Sequence, residues 1–182
     1  MSIKANTERL FADSFEKLLE MKSFDQISVS DITRFCGASR ATFYRYFRDK
    51  YDLMNWIFKT NVDMILIKYP DIRSWPEVLI GILQFIVGKK MYFYSIMKYK
   101  EQNSFLGFLT DYSFQYLHCQ AKTQWDQKPV PKQTDFAIKN FCLGSCHMVQ
   151  DWVISGCLES VEEMTRLIFA CIPHPWERIL ED

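Results

Sequence analysis

Residues 32–50 carry the side chains whose types and spacing are best suited to binding another molecule. Five of them are basic: Arg34, Arg40, Arg45, Arg48 and Lys50. Asp49 is the one acidic residue of the stretch, so its local charge is +4 (five minus one), although the whole chain has a net charge of zero. Basic groups clustered among aromatic and hydroxyl side chains attract phosphates. The stretch therefore predicts a surface for a polyanion, and for double-stranded DNA in particular.

Two short helices joined by a tight turn would position these side chains. Ser28 is a good N-cap, and Asp31 three residues later completes a start of the capping-box type. Gly37, between Cys36 and Ala38, allows the left-handed conformation that ends a helix. Ser39 then caps the next helix. This is the layout of a helix-turn-helix that reads DNA.

Helical spacing sorts the side chains of these two helices into faces. The residues expected to face inward are Ile32, Phe35, Phe43 and Phe47. The residues expected to point outward are Arg40, Ala41, Tyr44 and Arg45. The basic side chains of the second helix therefore share one exposed face.

The rest of the chain is also predicted to be helical, because glycine and proline are few and no alternating apolar pattern is present. Apolar periodicity and capping residues predict helices over residues 4–21, 50–69, 74–88, 89–100, 104–123, 134–155 and 160–171. The predicted fold class is all-α. Residues 1–50 would form a three-helix helix-turn-helix DNA-binding domain, and residues 51–182 a helical regulatory and dimerisation bundle.

Composition argues against secretion and against a membrane. Glu8 and Asp13 interrupt the first periodic segment, so no signal peptide is expected. The longest apolar run, residues 78–88, is broken by Gln84 and is too short to span a bilayer. The six cysteines lack a CxxC pair, which is typical of reduced thiols. We therefore expect a cytoplasmic protein that does not associate with membranes.

Four motifs follow one another in the first third of the chain: Ile27-Ser28-Val29-Ser30-Asp31-Ile32, Cys36-Gly37-Ala38-Ser39, Thr42-Phe43-Tyr44-Arg45-Tyr46-Phe47 and Lys50-x-x-Leu53. With them, residues 5–58 resemble the DNA-binding domain of the TetR/AcrR family of bacterial transcription regulators. Cys36, Ala41 and Tyr46 stand where Ala, Gly and His are usual. Residues 27–32, 42–47 and 56–58 are most similar to a subgroup that includes regulators of dihydroxyacetone-kinase operons.

The resemblance implies that the third helix enters the major groove. The residues expected at the DNA are Ser28, Ser39, Arg40, Ala41, Thr42, Tyr44, Arg45 and Lys50. Arg40 would donate to guanine N7 and O6, and Thr42 would touch a thymine methyl group. Ser28, Tyr44 and Lys50 would hold phosphates, and Arg45 could do either. The alternative is that the arginines are ordinary solvated charges.

The resemblance also implies a homodimer held by helices 134–155 and 160–171. The candidate interface residues are Phe141, Ser145, Met148, Trp152, Leu167 and Ile168. The alternative is that these side chains close the core of their own chain. The middle helices carry aromatic and methionine side chains, which suit either an apolar ligand pocket or an ordinary core. The candidate pocket residues are Phe85, Tyr92, Phe93, Met97, Phe105, Phe108 and Tyr112.

The expected function is that of a transcriptional regulator that binds a palindromic operator as a homodimer. An unknown small molecule or partner bound by the C-terminal domain would control it; the alternative is an activator controlled by a protein co-regulator. An enzyme is the competing class, but a phosphate-binding glycine loop, a nucleophile elbow and an HExxH motif are all absent from the sequence. Cys142 and Cys146 share a helical face beside His147, without a further ligand, so neither a metal nor a cofactor is expected.

Overall fold

The computed structural model describes residues 3–70, 74–100, 104–124 and 129–173. Within these ranges the regular structure is helical and contains no strand, which confirms the all-α fold class. The helices are α1 (Ile3–Met21), α2 (Val29–Phe35), α3 (Arg40–Tyr44), α4 (Lys50–Lys68), α5 (Trp75–Gly88), α6 (Lys90–Met97), α7 (Phe105–Gln124), α8 (Lys132–Ile154) and α9 (Val161–Phe169). A single 3₁₀ turn, Phe24–Gln26, precedes α2.

The described residues divide into two compact units. The first contains residues 1–61 and 89–105, and the second contains residues 62–88 and 106–182. The predicted division after residue 50 stays a prediction, because a division by packing does not say which residues bind DNA and which regulate. Packing nevertheless assigns residues 51–61 of α4 and all of α6 to the first unit.

An aromatic cluster joins α1 to the helix-turn-helix in the first unit. The ring of Phe11 lies 5.2 Å from that of Phe43 and 6.3 Å from that of Phe47, with edge-to-face geometry in both pairs. All three side chains are buried, and burying a phenylalanine contributes roughly 1.5–3 kcal/mol to folding. Phe43 and Phe47 therefore face α1, as their spacing predicts.

The inward orientation expected for Phe35 is wrong, since this side chain is 46% exposed. The buried face of α2 runs through Ile32 and Thr33. Phe35 is the last residue of this short helix and lies about 200° around it from Thr33. The polar side chain of Thr33 can be buried because its hydroxyl donates to the carbonyl of Ser30 at 3.3 Å.

Helix α6 packs into the first unit as an additional core helix. The ring of Tyr92 lies 6.2 Å from that of Phe15 in α1, and its hydroxyl donates to the carbonyl of Met54 in α4 at 3.2 Å. The ammonium group of Lys89, just before α6, binds both carboxylate oxygens of Glu16 at 2.5 Å. Hydrophobic and charged contacts thus both hold α6 against α1.

The second unit is built from the end of α4 and from α5, α7, α8 and α9. Trp75 in α5 stacks on Tyr116 in α7 with ring centroids 5.6 Å apart. The turn between α8 and α9 contains Gly156 (φ 100°) and Cys157 (φ 54°), both in the left-handed region. The indole N–H of Trp152 spans this turn by donating to the carbonyl of Glu159 at 3.1 Å.

No single helix in the described ranges is long and apolar enough to cross a membrane. α5 and α6 meet the length and composition of a span only when they are joined. This is weak support for a membrane segment, because buried core helices have the same composition. Trp75, Val78, Leu83, Phe93 and Ile96 of this pair are buried side chains.

Candidate DNA-binding site and regulatory surfaces

The turn before α3 and the N-cap of α3 fix the orientation of this five-residue helix. Gly37 adopts a φ of +69°, and the amide of Ala38 donates back to the carbonyl of Thr33 at 2.9 Å. Ser39 caps α3, because its hydroxyl oxygen accepts from the amide of Thr42 at 3.0 Å. The Thr42 hydroxyl lies 2.9 Å from the same oxygen. Both features follow from residues that the sequence analysis identified.

Four of the predicted contact residues lie together on the exposed side of α3, which we call the α3 face: Arg40, Ala41, Tyr44 and Arg45. The guanidinium group of Arg40 donates to the Tyr44 hydroxyl at 3.3 Å and lies 5.9 Å from the centre of the Tyr44 ring. Thr42 is partly buried at the edge of this face. The α3 face therefore presents an arginine that is already held by an aromatic neighbour.

The arginines of the α3 face differ in their pairing from those beside it. Arg34 lies 3.9 Å from Asp31, and Arg48 lies 3.3 Å from Asp52. No carboxylate of the described residues lies within 4.0 Å of Arg40 or Arg45. Within the described part of the chain, two arginine charges without a carboxylate partner thus lie on the exposed side of α3, which is the electrostatic requirement for binding phosphates and base edges.

Ser28 and Asp31 form the capping box that the sequence predicts at the start of α2. The amide and hydroxyl of Ser28 donate to Asp31 Oδ2 at 2.9 and 2.6 Å, and the amide of Asp31 donates to Ser28 Oγ at 3.2 Å. These hydrogen bonds from Ser28 lower the pKa of Asp31 to about 2. Lys22, 3.4 Å away, partly balances its negative charge.

Lys50 lies half-buried at the start of α4 and points its ammonium group at backbone carbonyls. Nζ donates to the carbonyls of Phe24 at 2.7 Å, Ile27 at 2.8 Å and Asp25 at 3.3 Å. Burial lowers the pKa of this ammonium group. A lysine has three protons to donate, and these three carbonyls account for all of them. In this structure the ammonium group is therefore directed at the backbone, and the phosphate contact of Lys50 stays a prediction.

The seven predicted pocket residues do not come together in one unit. Tyr92, Phe93, Met97 and Phe105 belong to the first unit, where all four are buried. Phe85, Phe108 and Tyr112 belong to the second unit, where the hydroxyl of Tyr112 donates to Asp63 at 2.7 Å. Aromatic composition could not separate core from pocket, because both bury apolar surface. The pocket role of all seven residues stays a prediction.

An apolar groove that is open to solvent lies between α8 and α9. Its volume is about 640 Å³. Its lining includes all six predicted interface residues: Phe141, Ser145, Met148, Trp152, Leu167 and Ile168. Met148 is 54% exposed and Leu167 is 43% exposed. Trp152 and Ile168 are buried and form the floor. None of the seven predicted pocket residues lines this groove or a smaller cavity of about 280 Å³ between α4 and α5.

Gly144 is a further groove residue that the sequence analysis missed. It lies in the middle of α8, where glycine destabilises a helix by about 1 kcal/mol relative to alanine. A Cβ atom at this position would meet nothing within 4 Å, so the packing of this chain does not require glycine there. A glycine in a long helix, flanked by predicted interface positions, is the signal that could have revealed it.

Both cysteines of α8, Cys142 and Cys146, are buried. Burial raises the pKa of Cys142 to about 12 and also raises that of Cys146, whose thiol lies 3.7 Å from the Ser113 hydroxyl. Thiols with raised pKa values stay protonated and bind metals poorly. Among the described residues, no group of three or more histidine, cysteine or carboxylate side chains could hold a metal ion.

A helix-turn-helix with an exposed arginine face, in a chain whose second unit carries an open helical groove, defines an all-helical DNA-binding regulator. The family models agree. The model described as "Bacterial regulatory proteins, tetR family" matches residues 15–56, and the model described as "Transcriptional regulator C-terminal region" matches residues 73–174. The second match spans more than half of the chain. The chain belongs to the TetR family of transcriptional regulators.

One curated relative is the HTH-type dhaKLM operon transcriptional activator DhaS of Lactococcus lactis subsp. lactis (strain IL1403). It is 29% identical over 90 residues, which are 50% of this chain and 48% of that protein. The aligned region thus spans about half the length of this relative. The relatives found are regulators of transcription, in agreement with the resemblance in residues 5–58.

Solved structures show the same fold. That of the dihydroxyacetone kinase operon activator DhaS has a TM-score of 0.64 at 22% identity, covering 91% of this chain and 96% of that one. A tetR-family regulator from Streptomyces coelicolor has a TM-score of 0.59 at 15% identity, with coverages of 100% and 89%. NalD, the secondary repressor of the MexAB-OprM multidrug efflux pump in Pseudomonas aeruginosa, has a TM-score of 0.58 at 18% identity, with coverages of 96% and 100%.

Proposed function

We propose that the protein binds a palindromic operator as a homodimer, with the α3 face of each subunit in the major groove. The observation that carries this proposal is the pair of exposed arginines, Arg40 and Arg45, that no carboxylate of the described residues neutralises. Arg40 donates to guanine N7 and O6, and Thr42 contacts a thymine methyl group. Tyr44 and Ser28 bind phosphates, which fix the register of the protein on the duplex. Arg45 binds either phosphate or a base.

Dimerisation is assigned to the α8–α9 groove. A single helix-turn-helix offers a small interface with DNA, so specific affinity requires two of them on neighbouring half-sites. A symmetric dimer needs an apolar patch that complements itself. Met148 and Leu167 give the groove exposed apolar edges, and Gly144 allows the helix of a second copy to approach α8 closely. The groove therefore supports a contact between two copies of this chain.

Control is assigned to the C-terminal domain, where a small molecule or a protein partner would shift the equilibrium between two arrangements of the DNA-binding units. Such an effector must bind the two states with different affinities. Phe85, Phe108 and Tyr112 remain the candidate contacts for a small molecule. Because the regulated event takes place on DNA, we assign the protein to the cytoplasm.

An activator controlled by a protein co-regulator is the second candidate. Phe136 is 74% exposed and Leu143 is 43% exposed. They lie two turns apart on the same side of α8, and neither lines the α8–α9 groove. Exposed apolar groups on one face favour a protein interface. The DhaS relative is named as a transcriptional activator, whereas NalD is named as a repressor, so the sign of regulation is left to experiment.

Selection of random duplex DNA by the purified protein tests the leading proposal. After several rounds at low salt, sequencing should return a palindrome whose half-sites lie about one helical turn apart or a multiple of it. A variant that lacks both Arg40 and Arg45 is the matched control and should enrich no site. Enrichment of the same palindrome by this double variant, or of no site by the wild-type protein, would refute the assignment of the α3 face.

A further inference from the structure

The corner between α1 and α2, residues 23–28, is held from two sides by side chains of the first unit. It contains the 3₁₀ turn Phe24–Gln26 and ends at Ser28, the N-cap of α2. The side chains of Phe24 and Ile27 are buried. We refer to this segment as the α1–α2 corner. Its position sets where α2 begins.

The peptide group between Ile27 and Ser28 is fixed at both of its polar ends. Its carbonyl oxygen accepts from Lys50 Nζ at 2.8 Å, and its N–H donates to Asp31 Oδ2 at 2.9 Å. Rotation of this peptide plane would break both hydrogen bonds. Asp31 acts from within α2, whereas Lys50 acts from the start of α4 across more than twenty residues of chain. Lys50 thus holds the residue before the N-cap of α2 from a distant part of the chain.

Aromatic rings enclose the same ammonium group. Lys50 Nζ lies 4.5 Å from the ring centre of Phe24 and 5.6 Å from that of Tyr51. Tyr99, which follows α6, packs on Phe24 with ring centres 4.9 Å apart, and its hydroxyl lies 2.9 Å from that of Tyr51. The hydrogen bonds to the carbonyls of Phe24 and Ile27 are partly buried, so a substitute for the lysine has to satisfy these two carbonyls itself.

We propose that Lys50 is a positioning residue for DNA binding, which holds the α1–α2 corner so that Ser28 and the N-terminus of α2 meet the DNA backbone, and that it does not bind a phosphate itself. This inference rests on the proposed function, because its consequence is a change in DNA affinity. The geometry separates it from a phosphate role: the ammonium protons point at the carbonyls of residues 24, 25 and 27.

Two variants of Lys50 separate the roles. Lys50→Arg keeps the charge, but a planar guanidinium cannot donate to three converging carbonyls as an ammonium group does. Lys50→Met keeps the aliphatic length and removes the charge. A positioning role predicts that both variants lose affinity for the selected palindrome by about tenfold, the fold-change expected when a helix cap is lost. The slope of log affinity against log salt should equal that of the wild-type protein.

A phosphate role predicts the opposite pattern. Lys50→Arg would then keep wild-type affinity, and Lys50→Met would reduce the salt slope by about one. That pattern would overturn the inference. Lys17→Met removes an exposed lysine of α1 and is the control for loss of charge alone. Far-ultraviolet circular dichroism verifies that each variant is folded.

Lysine acylation followed by mass spectrometry tests the wild-type protein directly and needs no variant to fold. We expect Lys50 to react slowly without DNA and at the same rate with DNA, whereas Lys17 reacts fast. Fast reaction of Lys50 in the free protein, with protection by DNA, would refute the positioning role. If the wild-type protein binds no duplex, the proposed function fails, and the reaction rate in the free protein still decides whether Lys50 is enclosed.

Discussion

The α3 face and the α8–α9 groove are the two surfaces that we assign to binding, and they are constructed differently. The α3 face is polar, lies on a helix of five residues and is set by caps that act over three or four residues of chain. The groove is apolar and combines Phe141 with Ile168, which are distant in sequence. Short-range capping can place a few charged groups accurately, whereas an apolar groove requires two helices to pack.

The comparison predicts that the two surfaces can be disabled separately. The largest effect is expected from Met148→Glu, which introduces a charge at an exposed edge of the groove. The dimer should dissociate in sedimentation measurements, and affinity for the palindrome should fall by about 10²- to 10⁴-fold, the gain that linking two modules supplies. Leu143→Glu, on the same helix but outside the groove, is the control and should leave the dimer intact. A dimer that survives Met148→Glu would move the interface elsewhere.

Arg40→Ala should give the next largest effect and the converse pattern. Sedimentation should show an unchanged dimer, and specific affinity should fall by about 1–3 kcal/mol, with relaxed preference at one base position. Binding assays against single-base variants of the palindrome measure both quantities. An unchanged base preference would show that Arg40 does not read a base.

Smaller effects are expected when the serine N-cap of α3 or that of α9 is removed, and the two removals can be compared directly. Ser39 Oγ accepts from the Thr42 amide at 3.0 Å at the start of α3, and Ser160 Oγ accepts from the Glu163 amide at 3.1 Å at the start of α9. Replacement by alanine should destabilise either helix by about 0.5–2 kcal/mol. Ser39→Ala should weaken DNA binding only, and Ser160→Ala should weaken the dimer only. Urea denaturation and the two binding assays distinguish these outcomes.

The smallest effect is expected from lowering the pH, which removes the contribution of Asp31 to the α2 cap. Hydrogen bonds from Ser28 lower the pKa of Asp31 from 3.8 to about 2, so its contribution to the α2 cap is complete above about pH 4 and is lost as the pH falls through 2. The pKa of Glu163 is also lowered, by the hydrogen bond from Arg166. Carboxyl titration by NMR should find both values below those of the unfolded chain. An ordinary pKa for Asp31 would mean that the capping box is open in solution.

Local features of the sequence were predicted well. The capping box of Ser28 and Asp31, the left-handed Gly37 and the Ser39 cap each depend on residues within four positions of one another. The side chains of Phe43 and Phe47 face α1 because helical periodicity assigns them to one stripe. Such features need no knowledge of the remaining chain.

Features that depend on distant packing could not be predicted from the sequence. Lys50 is charged and close to the basic stretch, so its sequence context favours a phosphate, yet its partners are carbonyls more than twenty residues away. Tyr92 and Phe93 have the composition of pocket residues, but they are buried in packing against α1 and α4. Side-chain type states what a residue can bind, and only the packing of distant segments shows which neighbours it has.

The sequence by itself determined the all-α fold class, the helix-turn-helix and the residues of the α3 face, because capping and periodicity act over short stretches of chain. Only the tertiary structure decided that α6 packs within the first unit, that Lys50 is enclosed in the α1–α2 corner, and that the predicted interface residues line one groove. Those outcomes depend on which apolar surfaces meet when the helices pack. Many pairings of similar helices bury similar areas, so composition alone does not select among them.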